Sequence, residues 1–202
     1  EDGGIFITCS NGFKYIDTDQ RIYHQPILTF KSIFIDSKNH LWGNGPSGMH
    51  VFDVDSLIQF LKKPSADYPT NRSFIGKHLR QFGRVEKIYD LQNGSVLSAN
   101  NEAIYQLTDN GKNQLISKKE LDHLRVNDFL QFDDGSIWIA SQQNGIQVLQ
   151  NGKSFPLALS IELGIKKCNK LYRDESGLIW MATDVGIIRY NEVKPDHYTL
   201  IP

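Results

Sequence analysis

The chain is poor in cysteine and has no long apolar runs. Its 202 residues include two cysteines, Cys9 and Cys168, which are too few for a disulfide scaffold and lack the spacing of a zinc site. We expect both to be free and mostly buried thiols. The sequence contains no run of about 18 apolar residues, the length needed to cross a bilayer. We therefore expect this segment to make no membrane contact.

The chain also has no large excess of either charge, since it contains 22 basic and 23 acidic residues. Such a balance produces no global field that would recruit nucleic acid. The six histidines show no i, i+4 pairing, and the aspartate-rich turn at residues 133–135 does not match the twelve-residue calcium loop. Residues 45–48 read Gly-Pro-Ser-Gly in a predicted hairpin turn, without the strand-to-helix context of a nucleophile elbow. The sequence therefore predicts no catalytic residues, no metal and no cofactor.

A repeated phrase runs through the chain. Residues 135–141 read Gly-Ser-Ile-Trp-Ile-Ala-Ser and residues 177–183 read Gly-Leu-Ile-Trp-Met-Ala-Thr, each followed by Gly-Ile a few positions later. Weaker copies occur earlier. The large residue of each copy is Phe6, Trp42, Leu97, Trp138 or Trp180, and the small residue six or seven positions on is Gly12, Gly48, Ala103, Gly145 or Gly186. We expect the large side chains to fill the space between neighbouring units, and the small ones to mark turns and close packing.

Each copy is preceded by a short apolar run that ends in a turn rich in Asp, Asn and Gly, and is followed by one or two further runs. Short runs rich in β-branched and aromatic residues between such turns indicate strands. Four strands per unit and a spacing of 41 or 42 residues between Leu97, Trp138 and Trp180 are typical of propeller blades. The sequence predicts an all-β fold, a β-propeller fragment of about four and a half four-stranded blades.

The predicted division is a half blade at 1–30 and blades at 31–85, 86–127, 128–168 and 169–202. The predicted blade at 31–85 is longer than the others, which places an insertion at about 57–84. Residues 57–63 could form a short amphipathic helical turn and residues 74–82 carry basic side chains among apolar ones, which would fit a partner-binding elaboration. The alternative for the whole insertion, a long outer strand and connector made compatible with solvent by lysine and arginine, is the one we favour. An open arc leaves unpaired edges, so a partner sheet should come from flanking sequence or from a second molecule; a closed five-bladed ring is the alternative.

The assembled consensus, an apolar strand ending in Asp, then Gly-x-Ile-Trp-Ile-Ala-Thr, then Gly-Ile, resembles the two-component regulator propeller repeat. The best copies lie at residues 171–191 and 129–150. The resemblance implies a periplasmic sensor region of a bacterial hybrid two-component or similar signalling receptor. It further implies a homodimeric receptor, a saccharide or related small-molecule ligand, and remaining propeller blades in the parent chain.

Loops on one face of the predicted blades are the candidate binding site, because propellers bind partners around the channel on one face. Their amide and charged groups suit sugar hydroxyls or acidic saccharides. The candidate residues are Asn44, Asn101, Arg125, Asn127, Gln143, Lys167, Asn169 and Asp184. The leading hypothesis is a non-enzymatic ligand sensor. The alternatives are an interaction or dimerisation scaffold without a small-molecule ligand, and a propeller hydrolase or lyase.

Overall fold

A computed structural model describes residues 3–26, 29–45, 48–63, 77–79, 85–91, 95–100, 102–108, 111–117, 119–122, 124–194 and 197–201. The chain forms two compact units, Glu1–Val85 and Glu86–Pro202. Their regular structure is almost entirely antiparallel β-sheet, which confirms the all-β prediction. Two short helices are the exceptions.

The first unit contains two sheets and one helix. Its first sheet, which lies within the predicted half blade, has three strands in the order β1-β2-β3, and its second has four in the order β4-β5-β6-β7. The elements are β1 (Ile5–Cys9), β2 (Gly12–Ile16), β3 (Ile22–Gln25), β4 (Ser32–Ile35), β5 (His40–Gly45), β6 (Gly48–Asp53), α1 (Val54–Leu61) and β7 (Lys77–Leu79).

The second unit contains three sheets of four strands, and in each of them neighbours in sequence are neighbours in the sheet. Up-and-down order of this kind follows from the tight turns between consecutive strands. The elements are β8 (Val85–Asp90), β9 (Val96–Asn100), β10 (Ala103–Thr108), β11 (Gly111–Ser117), β12 (Val126–Gln131), β13 (Ile137–Ser141), β14 (Ile146–Gln150), β15 (Lys153–Pro156), α2 (Ala158–Glu162), β16 (Cys168–Arg173), β17 (Ile179–Thr183), β18 (Gly186–Tyr190) and β19 (Tyr198–Ile201).

The turn between β16 and β17 shows how sequence sets the hairpin. Asp174 Oδ1 accepts hydrogen bonds from Ser176 N at 2.9 Å and Leu178 N at 3.0 Å, and Gly177 has φ +82°. An aspartate that caps the turn and a glycine in the left-handed region are the residues that such a turn requires. The turn has the Asp- and Gly-rich composition that the sequence predicts between strands.

Two of the large side chains of the repeat, Trp138 and Leu97, lie between adjacent sheets of the second unit, whereas Trp180 is only half-buried on the last sheet. Trp138 on β13 packs against Phe132, with ring centroids 4.6 Å apart, and against Tyr190 on β18, at 5.7 Å. Met181 on β17 belongs to the same core. Leu97 is fully buried in a second core between the first two sheets of this unit. Trp138 and Leu97 therefore fill inter-sheet space, as the repeat predicts.

Helix α1 lies at the start of the predicted insertion. Its buried residues include Leu57, Ile58 and Leu61, a spacing that lines one helical face. Asp53 Oδ1 accepts a hydrogen bond from Ser56 N at 2.8 Å and so caps the first turn. The helical turn expected within residues 57–63 is therefore present, and the outer strand does not begin here.

An outer strand does follow, further along the insertion. Strand β7 pairs with β6 and completes the second sheet, with Met49 opposite Leu79. The rest of the predicted insertion, residues 64–76 and 80–84, lies outside the described residues.

Both cysteines are free, as predicted, although Cys9 is only partly buried. Cys168 is fully buried, and burial raises the pKa of its thiol to about 12. A thiol that stays protonated is a poor nucleophile and a poor metal ligand. Cys168 is therefore a packing residue.

Candidate ligand-binding site

One end of the last two sheets gathers most of the predicted site residues. Here β12 and β16 begin, and the hairpins between β13 and β14 and between β17 and β18 turn. We call this surface the connector end and define it as residues 124–127, 142–145, 166–169 and 184–185. Of the eight predicted residues, six lie on it: Arg125, Asn127, Gln143, Lys167, Asn169 and Asp184.

Asn127 joins the two sheets at the connector end. Its Nδ2 donates to the Cys168 carbonyl oxygen at 2.8 Å and to Gln142 Oε1 at 3.3 Å. The first partner begins β16 in the next sheet, and the second lies in the hairpin of the same sheet as Asn127. One amide therefore fixes three segments of the surface relative to one another.

Asp184 forms a second clamp at the connector end. Its Oδ1 accepts from Lys166 N at 3.2 Å and from Lys167 N at 3.1 Å, while its own N–H donates to the Lys167 carbonyl oxygen at 3.0 Å. The carboxylate is thus used to hold the connector that leads into β16. The backbone of Lys167 is held by these hydrogen bonds, and its side chain has no partner among the described residues.

Three further side chains, besides Lys167, are available to a ligand. Arg125, Gln143 and Asn169 are exposed, and within the described part of the chain none of these side chains has a hydrogen bond or ion pair. The backbone beneath them is ordered, because the Arg125 carbonyl oxygen accepts from Gln142 N at 3.0 Å. A fixed backbone with free guanidinium and amide groups is the arrangement that ligand sites use for orientation.

Asn44 does not belong to this surface. The sequence places it in a hairpin loop, whereas the structure has it in strand β5, 2% exposed. Its Oδ1 accepts from Ser32 N at 3.0 Å and from Ser32 Oγ at 2.8 Å. A buried amide must find such partners, and here the partners are those of the adjacent strand. Asn101, the remaining predicted residue, lies outside the described residues.

Sequence reasoning missed a charged group that spans the three sheets of the second unit. Asp128 on β12 lies between Lys87 on β8 and Lys170 on β16. The three residues occupy the same position in the repeat, four residues before Leu91, Phe132 and Asp174 respectively. Residues of opposite charge that recur at one position of the repeat in successive first strands are the signal that could have revealed them.

Tyr89 and Arg173 line the same first strands. Burial is the main cause that raises the pKa of Tyr89, and the negative charge of Asp128 adds to it. The Arg173 guanidinium lies 4.6 Å from the centroid of the Phe132 ring, a cation–π contact between the last two sheets. Both side chains are therefore held by packing.

No constellation for metal binding is present in the described ranges, where three or more His, Cys, Asp or Glu side chains nowhere converge. In the same ranges, neither helix has the length and apolar composition to span a bilayer.

No family model and no curated protein matches the sequence of this chain. Solved structures do match it. The extracellular domain of BT4673, a candidate one-component system of B. thetaiotaomicron, has 17% identity and a TM-score of 0.66 over 100% of this chain and 28% of that one. The extracellular domain of BT3049, a candidate hybrid two-component system of the same organism, has 15% identity and a TM-score of 0.66 over 98% and 28%.

Virginiamycin B lyase from Staphylococcus aureus is similar as well, with 15% identity and a TM-score of 0.60 over 100% of this chain and 67% of the enzyme. The chain therefore spans little more than a quarter of the length of the two Bacteroides domains. At these identities the likeness establishes the fold, and that fold is a β-propeller fragment.

Proposed function

We propose that this chain is a non-enzymatic, ligand-sensing part of the extracytoplasmic region of a bacterial signal-transduction receptor, located in the periplasm. The repeat resembles that of such receptors, and two similar structures are extracellular domains of one-component or hybrid two-component systems. The output module, a histidine kinase in the hybrid class, lies elsewhere in the receptor.

The observation that carries the proposal is the construction of the connector end. Asn127 and Asp184 hold three segments of the connector end in place, with hydrogen bonds of 2.8 to 3.3 Å. Around them Arg125, Gln143 and Asn169 present polar groups that have no partner within the part of the chain that the structure describes. A site whose backbone is fixed before the ligand arrives loses less entropy on binding.

The ligand class that fits these groups is a saccharide or a related small molecule. Amide groups both donate and accept hydrogen bonds, as sugar hydroxyls do, and a guanidinium adds a charged donor. Trp138 and Leu97 of the repeat are buried, at 6% and 0% exposed, and the half-buried Trp180 bonds to Asp174 in the turn at the other end of the last sheet. Recognition at the connector end therefore relies on these polar groups and not on an aromatic platform.

Further blades of the parent chain are the proposed partners of the last sheet. Leu130 and Ile146 on β12 and β14 are 7% and 0% exposed because the last sheet covers them. The equivalent residues of the last sheet, Tyr172 and Ile187, are 56% and 47% exposed. An apolar sheet face of this kind is suited to another blade of the same repeat.

Signalling needs only a difference in affinity between two receptor arrangements. A ligand that binds one geometry of a homodimeric receptor better than another shifts the population towards it. The chain's role in that scheme is to supply the site.

A thermal-shift screen tests the proposal. A ligand at about 100 times its dissociation constant should add about 2.7 kcal/mol to the free energy of unfolding. We expect one or more saccharides to raise the melting temperature of the chain, and Asn169→Ala with Gln143→Ala to reduce the shift. Glu175→Gln is the matched control, because Glu175 is exposed in a turn at the opposite end of the sheets.

The two alternative functions give different results. An interaction scaffold would show no shift with any saccharide, organic acid or amino acid, and would instead retain a protein partner through the connector end. A hydrolase or lyase, the activity of one structurally similar protein, would consume the stabilising compound, which chromatography of the incubated mixture would reveal.

A further inference from the structure

Asp128 is a fully buried carboxylate held between two lysines from neighbouring sheets. Its side chain is 1% exposed. Lys170 Nζ lies 2.8 Å from Oδ2, and Lys87 Nζ lies 3.0 Å from Oδ1. The Leu171 N–H also donates to Oδ2, at 3.3 Å. The cluster therefore links the first strands of all three sheets in the second unit.

Oδ2 has a hydrogen-bond donor, the Leu171 N–H, in addition to its lysine, whereas Oδ1 has only its lysine among the described residues. Lys87 pairs with Oδ1 by charge, yet the angles of that contact do not meet those of a hydrogen bond, so Oδ1 has no hydrogen-bond partner among the described residues. An ammonium group has three N–H donors, so Lys87 can donate to another acceptor as well. Its side chain is 29% exposed, so part of it reaches solvent.

The cluster carries a surplus of positive charge. Two ammonium groups surround one carboxylate, and the Lys170 side chain is 62% exposed. Arg125 and Lys167 begin the same strands a few residues earlier, and their side chains have no partner in the described part of the chain. Asp184, which holds the backbone of Lys167, has one of its oxygens already engaged by two backbone N–H groups.

We propose that Lys87 and Lys170 bind a carboxylate group of the ligand, on the solvent side of the cluster and opposite Asp128. This inference rests on the proposed sensor function and adds the chemical class of its ligand, an acid. One monoanion neutralises the surplus charge, and the two oxygens of a carboxylate can accept from two ammonium groups at once.

The geometry also explains why the site exists without its ligand. Asp128 keeps the two ammonium groups close together, where their mutual repulsion would otherwise drive them apart. Because the lysines come from different sheets on either side of β12, their placement is fixed by the stacking of the sheets and not by one flexible loop.

Isothermal titration of the chain with matched probes tests the inference. The probes are D-glucuronate and D-glucose, which differ at the carboxylate, and D-glucose 6-sulfate, which carries another monoanion. We expect binding of glucuronate, weakened by added salt, and little or none of glucose. Lys170→Met should weaken glucuronate binding by about tenfold to a hundredfold, the usual effect of a hydrogen bond to a charged group. Lys87→Met should act in the same direction.

Lys153→Met is the control, because Lys153 is an exposed lysine at the opposite end of the sheets. It should leave binding unchanged. Lys170→Gln, which keeps a polar donor, guards against a folding defect in the methionine variant, and should also weaken binding.

The inference is overturned if glucuronate binds no better than glucose, if only the sulfate binds, or if Lys170→Met binds glucuronate as the unaltered chain does. Glucose binding as tightly as glucuronate would leave the proposed saccharide sensor standing while removing the carboxylate. Failure of all three probes, together with an empty neutral-saccharide screen, would count against both proposals.

Discussion

The indole Nε1 of Trp180 donates a 2.7 Å hydrogen bond to Asp174 Oδ2, six residues earlier in the chain. The same relationship recurs in the first unit, where Trp42 Nε1 donates to Asp36 Oδ2 at 2.6 Å. In the copy at Trp138 the aspartate position holds Phe132, and the two rings pack together instead. One position of the repeat thus holds either an aspartate that accepts a hydrogen bond from the tryptophan of the next strand or an aromatic residue of the apolar core.

The hydrogen bonds that Asp174 accepts predict a pH dependence of stability. Hydrogen bonds from Ser176, and next from Trp180, lower the pKa of Asp174 from 3.8 to about 2. A carboxyl whose pKa is lower in the folded state contributes stability that is present above pH 3.8 and is lost as the pH falls towards 2. We expect Asp174→Asn to be less stable than the unaltered chain at pH 7, and to lose less stability between pH 4 and 2.

Urea denaturation across that pH range measures the effect, with Glu175→Gln as the control. Glu175 is the neighbouring exposed acid in the same turn, and its side chain has no partner among the described residues. Equal acid sensitivity in Asp174→Asn and the unaltered chain would contradict the assignment.

The difference in burial between two tryptophans predicts a difference in stability. Trp138 is 6% exposed between two sheets, whereas Trp180 is half-buried on the open face of the last sheet. Trp138→Ala should lower the free energy of unfolding by about 3–5 kcal/mol, and Trp180→Ala should lower it by clearly less. Guanidinium denaturation of the two variants checks the order. A larger loss for Trp180→Ala would mean that the last sheet is covered in solution.

Two glycines with positive φ allow the stability cost of backbone strain to be measured separately from that of steric overlap. Gly145 has φ +61°, and a Cβ there would overlap the Ile165 carbonyl oxygen and Ser160 Oγ. Gly152 has φ +73° and open space around the same position. Gly152→Ala should cost about 1–2 kcal/mol through backbone strain, and Gly145→Ala should cost more. The melting temperatures of the two alanine variants test this, and equal losses would show that the overlap is relieved without cost.

The turns, the strand order and the packing of Trp138 could be predicted because each depends on residues close in sequence. Asp174, Gly177 and Trp180, for example, lie within seven positions of one another, and their spacing alone indicates a hairpin with a buried second strand. Helix α1 was harder to predict, since its apolar residues also fit a covered outer strand, and burial by the neighbouring sheet decides between them.

The charged cluster could not be predicted from local pattern. Lys87, Asp128 and Lys170 are separated by more than forty residues at each step, and only the stacking of the three sheets brings them together. Asn44 was misplaced for a related reason: an amide next to glycine suggests a loop, but a cross-strand partner, Ser32, lets it continue the strand.

Hydrogen exchange of the chain with and without a stabilising saccharide locates the site directly. We expect slower exchange in the ligand's presence at residues 124–127, 142–145, 166–169 and 184–185, with no change in the opposite turns at 133–136 and 174–177. Protection confined to those opposite turns, or absent from the connector end, would contradict the sensor site proposed for this chain.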